Sequence, residues 1–499
     1  MTSAGAKYGP LLALLALALA GSTFHLGNKA VWNDEAFSYF VARDGPGQAI
    51  YNISTDPHPP LYYVILSLVL PLGSGPIFLR AASAIAHVVA TGLVYGSAAT
   101  LFNRRIAAIA AVLFAINPEL VDFAQKARPY AMQTMFVAMA FWGMAKVMSD
   151  DFAREHPIGG GFRGSFGGRG IGVDIGWCAY IVGAAGAMLT QHPGGFFVLS
   201  ANVVAVLRLA SNWRAMRQWF LNWALAQVLM LALWSLWLPG FIHQMAALIV
   251  TNTTTRNPAY FITAGQLWGA MLSLFSVSFV WSARYAAWAI YLLGIVLGLR
   301  ALRRYRFAGV VVLVPTILPA VIGIVGLYIL HPIFGYAVST MHWMQIPYVM
   351  VIAAGIGSIG RTVLRGALVS CFVIANAWGL KNYYQTPNPP TDELVATLER
   401  NARPGDGIIF SEYTVPRFVV GYYLGAKAPE IRGLDLTRDG SRLIRSLAEA
   451  QKNPRNWVIL AGDQRSSVDL EQLSGGRPPD FTRDFGAYTL IRFDMPPAQ

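Results

Sequence analysis

From Ile175 to Leu380 the chain contains neither aspartate nor glutamate, and apolar runs follow one another with only short polar breaks. With 55% of residues hydrophobic and 13% charged, too few polar side chains are present to cover a soluble globule. The chain therefore reads as a polytopic α-helical membrane protein. Its net charge of +13 belongs wholly to the first 380 residues, because the 15 basic and 15 acidic residues from Lys381 onward cancel. There the basic groups cluster in short loops between apolar runs, which is a positive-inside bias and not a nucleic-acid footprint; no nucleic-acid partner is expected. Cys178 and Cys371 are too few and too far apart for a disulfide framework or a cysteine metal cluster.

Hydropathy predicts about eleven crossings, near residues 10–26, 77–102, 106–118, 129–148, 176–192, 194–210, 219–240, 284–299, 308–330, 345–360 and 366–380. The first could also be read as a cleavable signal, since Ala18-Leu19-Ala20 precedes Gly21. Two apolar stretches, near 60–72 and 264–280, are read as re-entrant or juxtamembrane helices, which keeps the arginine-rich loops inside. Asp150 to Asp174, rich in Gly and Arg, becomes a flexible cytoplasmic loop. From Thr386 the composition turns soluble, and short apolar runs at 407–410, 457–461 and 488–493 alternate with helical patterns near 392–402 and 441–451. We expect a transmembrane domain over 1–380, whose first external loop at about 27–76 carries the active site, and a small periplasmic α/β domain over 381–499.

On this topology the acids left on the outer face are Asp34, Glu35, Asp44, Asp56, Glu119 and Asp122. They stand among His58, Lys126, Arg128, His192, His243, Arg256, His331 and His342. Few carboxylates amid many cationic groups suit a base that activates a neutral nucleophile while an anion such as phosphate is held. A cation pathway would need acids along the bundle. Plainer readings stand beside this one. Asp34 could cap a helix starting at Glu35, and Glu35 could be a first-turn acid favoured by the helix dipole. Asp122 and Lys126 could pair across one turn, Arg128 could reach the headgroups, and His58 could only turn the chain before Pro59-Pro60. His192 and His342 could be interfacial packing residues.

Asp34-Glu35 after the first span, His58-Pro59-Pro60-Leu61-Tyr62-Tyr63, Arg80-Ala81-Ala82-Ser83 and Ala127-Arg128-Pro129-Tyr130-Ala131 resemble, in this order, the GT-C glycosyltransferases. The branch they resemble holds the protein O-mannosyltransferases and the bacterial lipopolysaccharide-modifying aminoarabinose transferases. The likeness is strongest from Val31 to Met132; Leu189 to His192 and Met341 to Pro347 resemble later landmarks. The resemblance implies a GT-C-like bundle in the bacterial inner membrane and inverting transfer of a hexose or pentose from a polyprenyl-phosphate donor. The acceptor would be a glycolipid, polysaccharide or protein on the periplasmic side. It implies Asp34 as general base with Glu35 assisting, and His58, Arg128 and Lys126 about the donor phosphate. Tyr62, Asp122, Tyr130, His192 and His342 would bind or orient substrate. Lys126 stands where many relatives carry an acid, so no cofactor is implied, and a divalent metal would depend on Asp122. From other classes, a transporter or flippase of lipids or lipid-linked sugars and an inactive binding subunit are the alternatives.

Overall fold

The computed structural model describes residues 3–54, 56–149, 174–211, 213–255, 275, 277–330, 340–403, 405–410, 415–425, 453, 455–461 and 477–494. The expected loop at 150–173, most of the stretch near 264–280, the helical pattern near 441–451, Arg256 and His331 lie outside the described residues. The chain packs as two units. The first comprises Met1–Phe24, Gly45–Val69 and Arg80–Gln385, and the second His25–Asp44, Leu70–Leu79 and Thr386–Gln499.

The helices in chain order are α1 (Ser3–Thr23), α2 (Asn33–Ala42), α3 (Pro46–Ile53), α4 (Leu61–Val69), α5 (Pro76–Leu101), α6 (Arg104–Ala115), α7 (Pro118–Ala124) and α8 (Tyr130–Met148). Then come α9 (Ile175–Thr190), α10 (Gly194–Ser211), α11 (Trp213–Trp234), α12 (Leu238–Thr255), α13 (Arg284–Leu302), α14 (Arg306–Leu330), α15 (Gln345–Gly357) and α16 (Thr362–Gln385). The chain is thus a polytopic helical membrane protein. Among the described residues five helical stretches are long and apolar enough to cross a bilayer, and a sixth if the bent pair α6–α7 counts as one span. The eleven crossings expected from hydropathy would need the shorter apolar helices as well; α15, with 13 residues, falls short of the roughly 20 needed, and α4, with 9, is as short as its expected non-spanning role requires. The segment from His243 onward, expected as an outer stretch, begins within α12.

The first unit buries one core to which α5 to α11 and α13 to α16 all contribute. Without a hydrophobic drive between helices in lipid, close approach of small residues holds such a bundle together. Gly183 on α9 lies against the Ala140 backbone of α8, and Gly298 on α13 against the Val351 carbonyl of α15. Between α6 and α7 the helix axis bends by 60°. Pro118 starts α7, and Asn117 Oδ1 accepts from the amides of Glu119 (3.0 Å) and Leu120 (3.2 Å), which fixes the bend by a cap. At the C-terminal end of α1, Gln125 Nε2 donates to the carbonyls of Gly21 (3.2 Å), Ser22 (3.2 Å) and Phe24 (2.7 Å). The orphan acceptors of that last turn are thereby satisfied inside the protein.

The second unit has α17 (Thr391–Asn401), β1 (Gly407–Phe410), α18 (Val415–Leu424), β2 (Arg455–Ala461), β3 (Phe481–Asp484) and β4 (Tyr488–Asp494). The sheet order is β1-β2-β4-β3; β1 and β2 run parallel and the other pairs antiparallel. Leu394 and Leu398 of α17 and Val420 and Leu424 of α18 cover Trp457, Ile459 and Leu490. A buried ion pair closes one end: Arg455 Nε and Nη2 donate to Asp406 at 2.9 and 2.7 Å, with Trp457 Nε1 adding a third bond at 2.9 Å. The three apolar runs expected as strands are strands; α2 is the helix that a cap at Asp34 would start at Glu35, whereas β3 and α18 carry patterns too short to be read from sequence.

In a free helix Gly→Ala stabilises by about 1 kcal/mol. At Gly183 the sign should reverse, because a Cβ there meets the α8 backbone. Thermal unfolding in detergent should show Gly183→Ala melting below wild type, while Gly366→Ala on α16, where no atom lies within 4 Å of the added Cβ, does not. Equal melting of the two variants would refute the close-packing account.

Candidate active site

In the second unit α2 begins two residues earlier than a cap at Asp34 would require. Trp32 is the N-cap, with extended backbone (φ −101°, ψ 173°), and Asp34 and Glu35 both fall in the first turn. Glu35 is fully buried, and its Oε2 accepts from the Trp32 amide at 3.4 Å, the return half of a capping box. Asp34 is only half-buried, and Ser38 Oγ donates to its carbonyl at 2.9 Å. Adjacent residues on a helix diverge by about 100°, so one carboxylate turns into the protein and the other towards its surface. The phenol of Tyr488 on β4 is pushed up from its usual pKa, first by burial and then by the charge of Asp34.

In the first unit a separate set gathers around His58. The Arg128 Nη2 to His58 Nε2 distance is 3.2 Å. A guanidinium only donates, so Nε2 accepts and the ring proton sits on Nδ1, which faces Asp56 Oδ1. The Asp56 carboxylate also accepts from the His58 amide at 3.2 Å. In this arrangement His58 is a neutral link between a carboxylate and a fixed cation, and it orients Arg128. Gln244 on α12 secures the loop: its Nε2 donates to the carbonyls of Asp56 (2.6 Å), His58 (2.9 Å) and Ile53 (3.2 Å). Its Oε1 accepts from His192 Nε2 at 3.1 Å. Burial, above all, pushes His192 down to about 4; the Gln244 bond opposes this and any charge on His58 adds to it. Tyr62 is fully buried beside Tyr63 (ring centroids 5.3 Å), which stands edge-on to His58 at 6.4 Å.

A third set belongs to α7 and the residues after it. Lys126 Nζ pairs with Asp122 Oδ2 at 2.6 Å, so these two do meet across one turn. Glu119 Oε1 lies 3.0 Å from His342 Nδ1, and its Oε2 accepts from Ser278 Oγ at 2.9 Å. The His342 ring lies 3.8 Å from Phe123 and 5.7 Å from Tyr130, and the Arg128 guanidinium lies 5.9 Å from the Tyr130 centroid. Tyr130 therefore joins the α7 set to Arg128. Among the described residues no group of three or more His, Cys, Asp or Glu is arranged to hold a metal ion.

The structure thus brings His58, Arg128, Tyr130, His342, Lys126, Asp122 and, through Gln244, His192 into one unit, and places Asp34 and Glu35 on α2 of the other. His243 is exposed on α12. Gln244 was not legible as a site residue, although a lone amide within the apolar run Phe241 to Val250 is a signal for a buried hydrogen-bonding task. Asp56, two residues before His58, is the other missed partner.

Comparison with known proteins bears on this arrangement. ArnT from Cupriavidus metallidurans in its apo state is similar with a TM-score of 0.61 over 98% of this chain and 98% of that chain, at 13% identity. The same protein bound to undecaprenyl phosphate gives 0.55 over 97% and 98%, also at 13% identity. The archaeal oligosaccharyltransferase AglB from Archaeoglobus fulgidus, in complex with an inhibitory peptide and a dolichol-phosphate, gives 0.54 over 94% of this chain and 71% of that chain, at 13% identity. The fold is that of the GT-C glycosyltransferases. Residues 57–162 match the model of the dolichyl-phosphate-mannose-protein mannosyltransferase family. No curated protein matches the chain. The matched stretch of this GT-C fold holds His58, Tyr62, Asp122, Lys126, Arg128 and Tyr130 but stops short of Asp34 and Glu35.

Two outcomes test the geometry. Gln244→Leu removes the side-chain donor shared by three carbonyls, of which Ile53 keeps the Asp56 amide, and should lower stability by about 2 kcal/mol, and Gln244→Glu, which has no donor as a carboxylate and a single O–H when protonated, should not restore wild-type stability; denaturation in detergent measures both. His192 is held neutral in the fold well below its ordinary value of 6.5, so the unfolded chain binds the extra proton. Its contribution is full above pH 6.5 and is lost as the pH falls towards about 4. The melting temperature of His192→Asn should therefore fall less steeply over that window than that of wild type.

Proposed function

We propose that this chain is an inverting glycosyltransferase that moves a sugar from a polyprenyl-phosphate carrier to an envelope acceptor at the periplasmic face of the bacterial inner membrane. The acceptor classes that fit are glycolipid, polysaccharide and protein. The observation that carries the reading is Asp34, a half-buried carboxylate whose neighbour Glu35 is buried to close the helix start, in a chain with the GT-C fold. That similar proteins were solved with undecaprenyl phosphate and dolichol-phosphate supports a lipid-phosphate donor. The transmembrane part up to about residue 380 would hold the donor, with the C-terminal α/β domain on the periplasmic side.

In this mechanism the Asp34 carboxylate takes the proton of the acceptor hydroxyl. The hydroxyl oxygen forms the new bond to the anomeric carbon, and the bond to the phosphate oxygen breaks on the opposite face. The pair of electrons leaves with the polyprenyl phosphate, so the anomeric configuration inverts. Arg128 stabilises the charge that grows on the leaving phosphate, held in place by His58 and Asp56. Lys126 supplies a second cation whose charge Asp122 partly offsets until the phosphate competes for it. Glu35 orients the first turn of α2. Tyr62, Tyr130, His192 and His342 shape and brace the donor side.

Mass spectrometry of the purified protein with a panel of polyprenyl-phosphate sugars and an envelope lipid extract tests the proposal. Wild type should release polyprenyl phosphate and form a glycosylated product, and Asp34→Asn should reduce the rate by about 10²- to 10⁴-fold. Arg128→Ala should raise the donor KM and lower kcat together. A folded Asp34→Asn protein with full activity would sink the base assignment, and labelled lipid crossing a reconstituted bilayer with no glycosidic bond changed would favour a transporter.

A further inference from the structure

The residue that governs where Asp34 points lies three positions before it. Val31 is fully buried, and both of its backbone polar groups are engaged by the C-terminal part of the chain. Its amide donates to the hydroxyl of Tyr423 on α18 at 2.8 Å, and its carbonyl accepts from Thr391 Oγ1, at the start of α17, at 2.9 Å. One residue earlier the Ala30 carbonyl accepts from Asn388 Nδ2 at 2.8 Å. Three side chains from residues 388–423 therefore hold two consecutive residues immediately before the N-cap Trp32.

The same elements line the length of α2. Phe418 of α18 packs edge-on to Phe37 at 5.4 Å, and Tyr422 packs edge-on to Tyr39 at 5.2 Å. The Tyr422 hydroxyl donates to the Ser74 carbonyl at 2.8 Å, which ties in the third piece of the same unit. A helix of 10 residues cannot fix its own direction, since isolated helices that short are marginal in water. Its direction is set by what grips its start and its side.

We propose that Thr391 and Tyr423 are positioning residues for the glycosyl transfer, aiming the Asp34 carboxylate by clamping the Val31 backbone. The C-terminal domain is then a working part of the catalytic apparatus and not an appended acceptor module. The inference rests on the reading of Asp34 as general base. A base displaced by about 1 Å costs up to about 10²-fold in rate without changing what binds the donor, so the effect belongs in kcat.

The test uses the full-length protein in detergent. It follows release of undecaprenyl phosphate from whichever undecaprenyl-phosphate sugar of the panel wild type consumes, alongside hydrogen exchange of the amides of residues 32–38. Tyr423→Phe and Thr391→Val should each lower kcat at least about 10-fold with the donor KM unchanged, and should speed exchange in 32–38 while β2 amides exchange as in wild type. Thr391→Ser, which restores the hydroxyl, should recover most of the rate. Wild-type kcat in both variants alongside an inactive Asp34→Asn would overturn the clamp and leave the base standing. So would unchanged exchange in 32–38, or a Thr391→Ser variant as impaired as Thr391→Val. Should Tyr423→Phe fail to fold, Thr391→Val against Thr391→Ser decides alone. Full activity in Asp34→Asn would overturn the base and the clamp together.

Discussion

A backbone carbonyl facing an apolar interior must find a donor within the chain, and in this protein glutamine side chains meet that demand at the places where helices stop. Gln125 collects three carbonyls at the end of α1, and Gln244 collects three more from the loop after α3. Each leaves its amide oxygen to accept: Gln125 from the Tyr383 hydroxyl at 3.1 Å, Gln244 from His192. An unmade bond in such surroundings costs about 1–3 kcal/mol per group. The irregular segment carrying His58 is therefore held against the bundle by Gln244 of α12. Non-helical backbone at a membrane protein's interior is tolerated under this condition and rarely otherwise.

The same economy separates the two acids on α2. Glu35 is consumed by the helix start, its carboxylate returned to the Trp32 amide, and that use removes it from solvent. Asp34 accepts from Asn33 Nδ2 at 3.5 Å and stays half-exposed. Two adjacent carboxylates that look equivalent in a sequence are thus sorted by a rotation of about 100° into one structural acid and one accessible acid.

Much of this was legible beforehand, for identifiable physical reasons. Long apolar runs announce themselves, so α5, α8, α13 and α16 begin and end close to where hydropathy puts them. The runs at 407–410, 457–461 and 488–493 are strands because their β-branched and aromatic content has no competing helical period. Asp34, His58 and Arg128 were visible as polar groups in an unfavourable setting. What escaped was the support around them. Gln244 is 186 residues from His58, and Tyr423 is 392 from Val31. No local pattern encodes a bond across such a separation. The short helices α2 and α18 owe their existence to packing against each other, and a window of ten residues holds too little period to reveal that.

The His58 geometry also shows what a histidine supplies at this position that a lysine would not. A lysine would add a second fixed cation, but it could not accept from Arg128. Histidine can accept at Nε2 while donating at Nδ1 to Asp56, so the guanidinium gains an acceptor and a defined direction without repulsion. Protonating the ring would remove that acceptor and set two positive groups 3.2 Å apart, a cost that Asp56 would have to offset. On this arrangement the neutral ring aims Arg128. With the ring as a neutral link, the fixed positive charge of the pair rests on the Arg128 guanidinium, which keeps it throughout the working pH range.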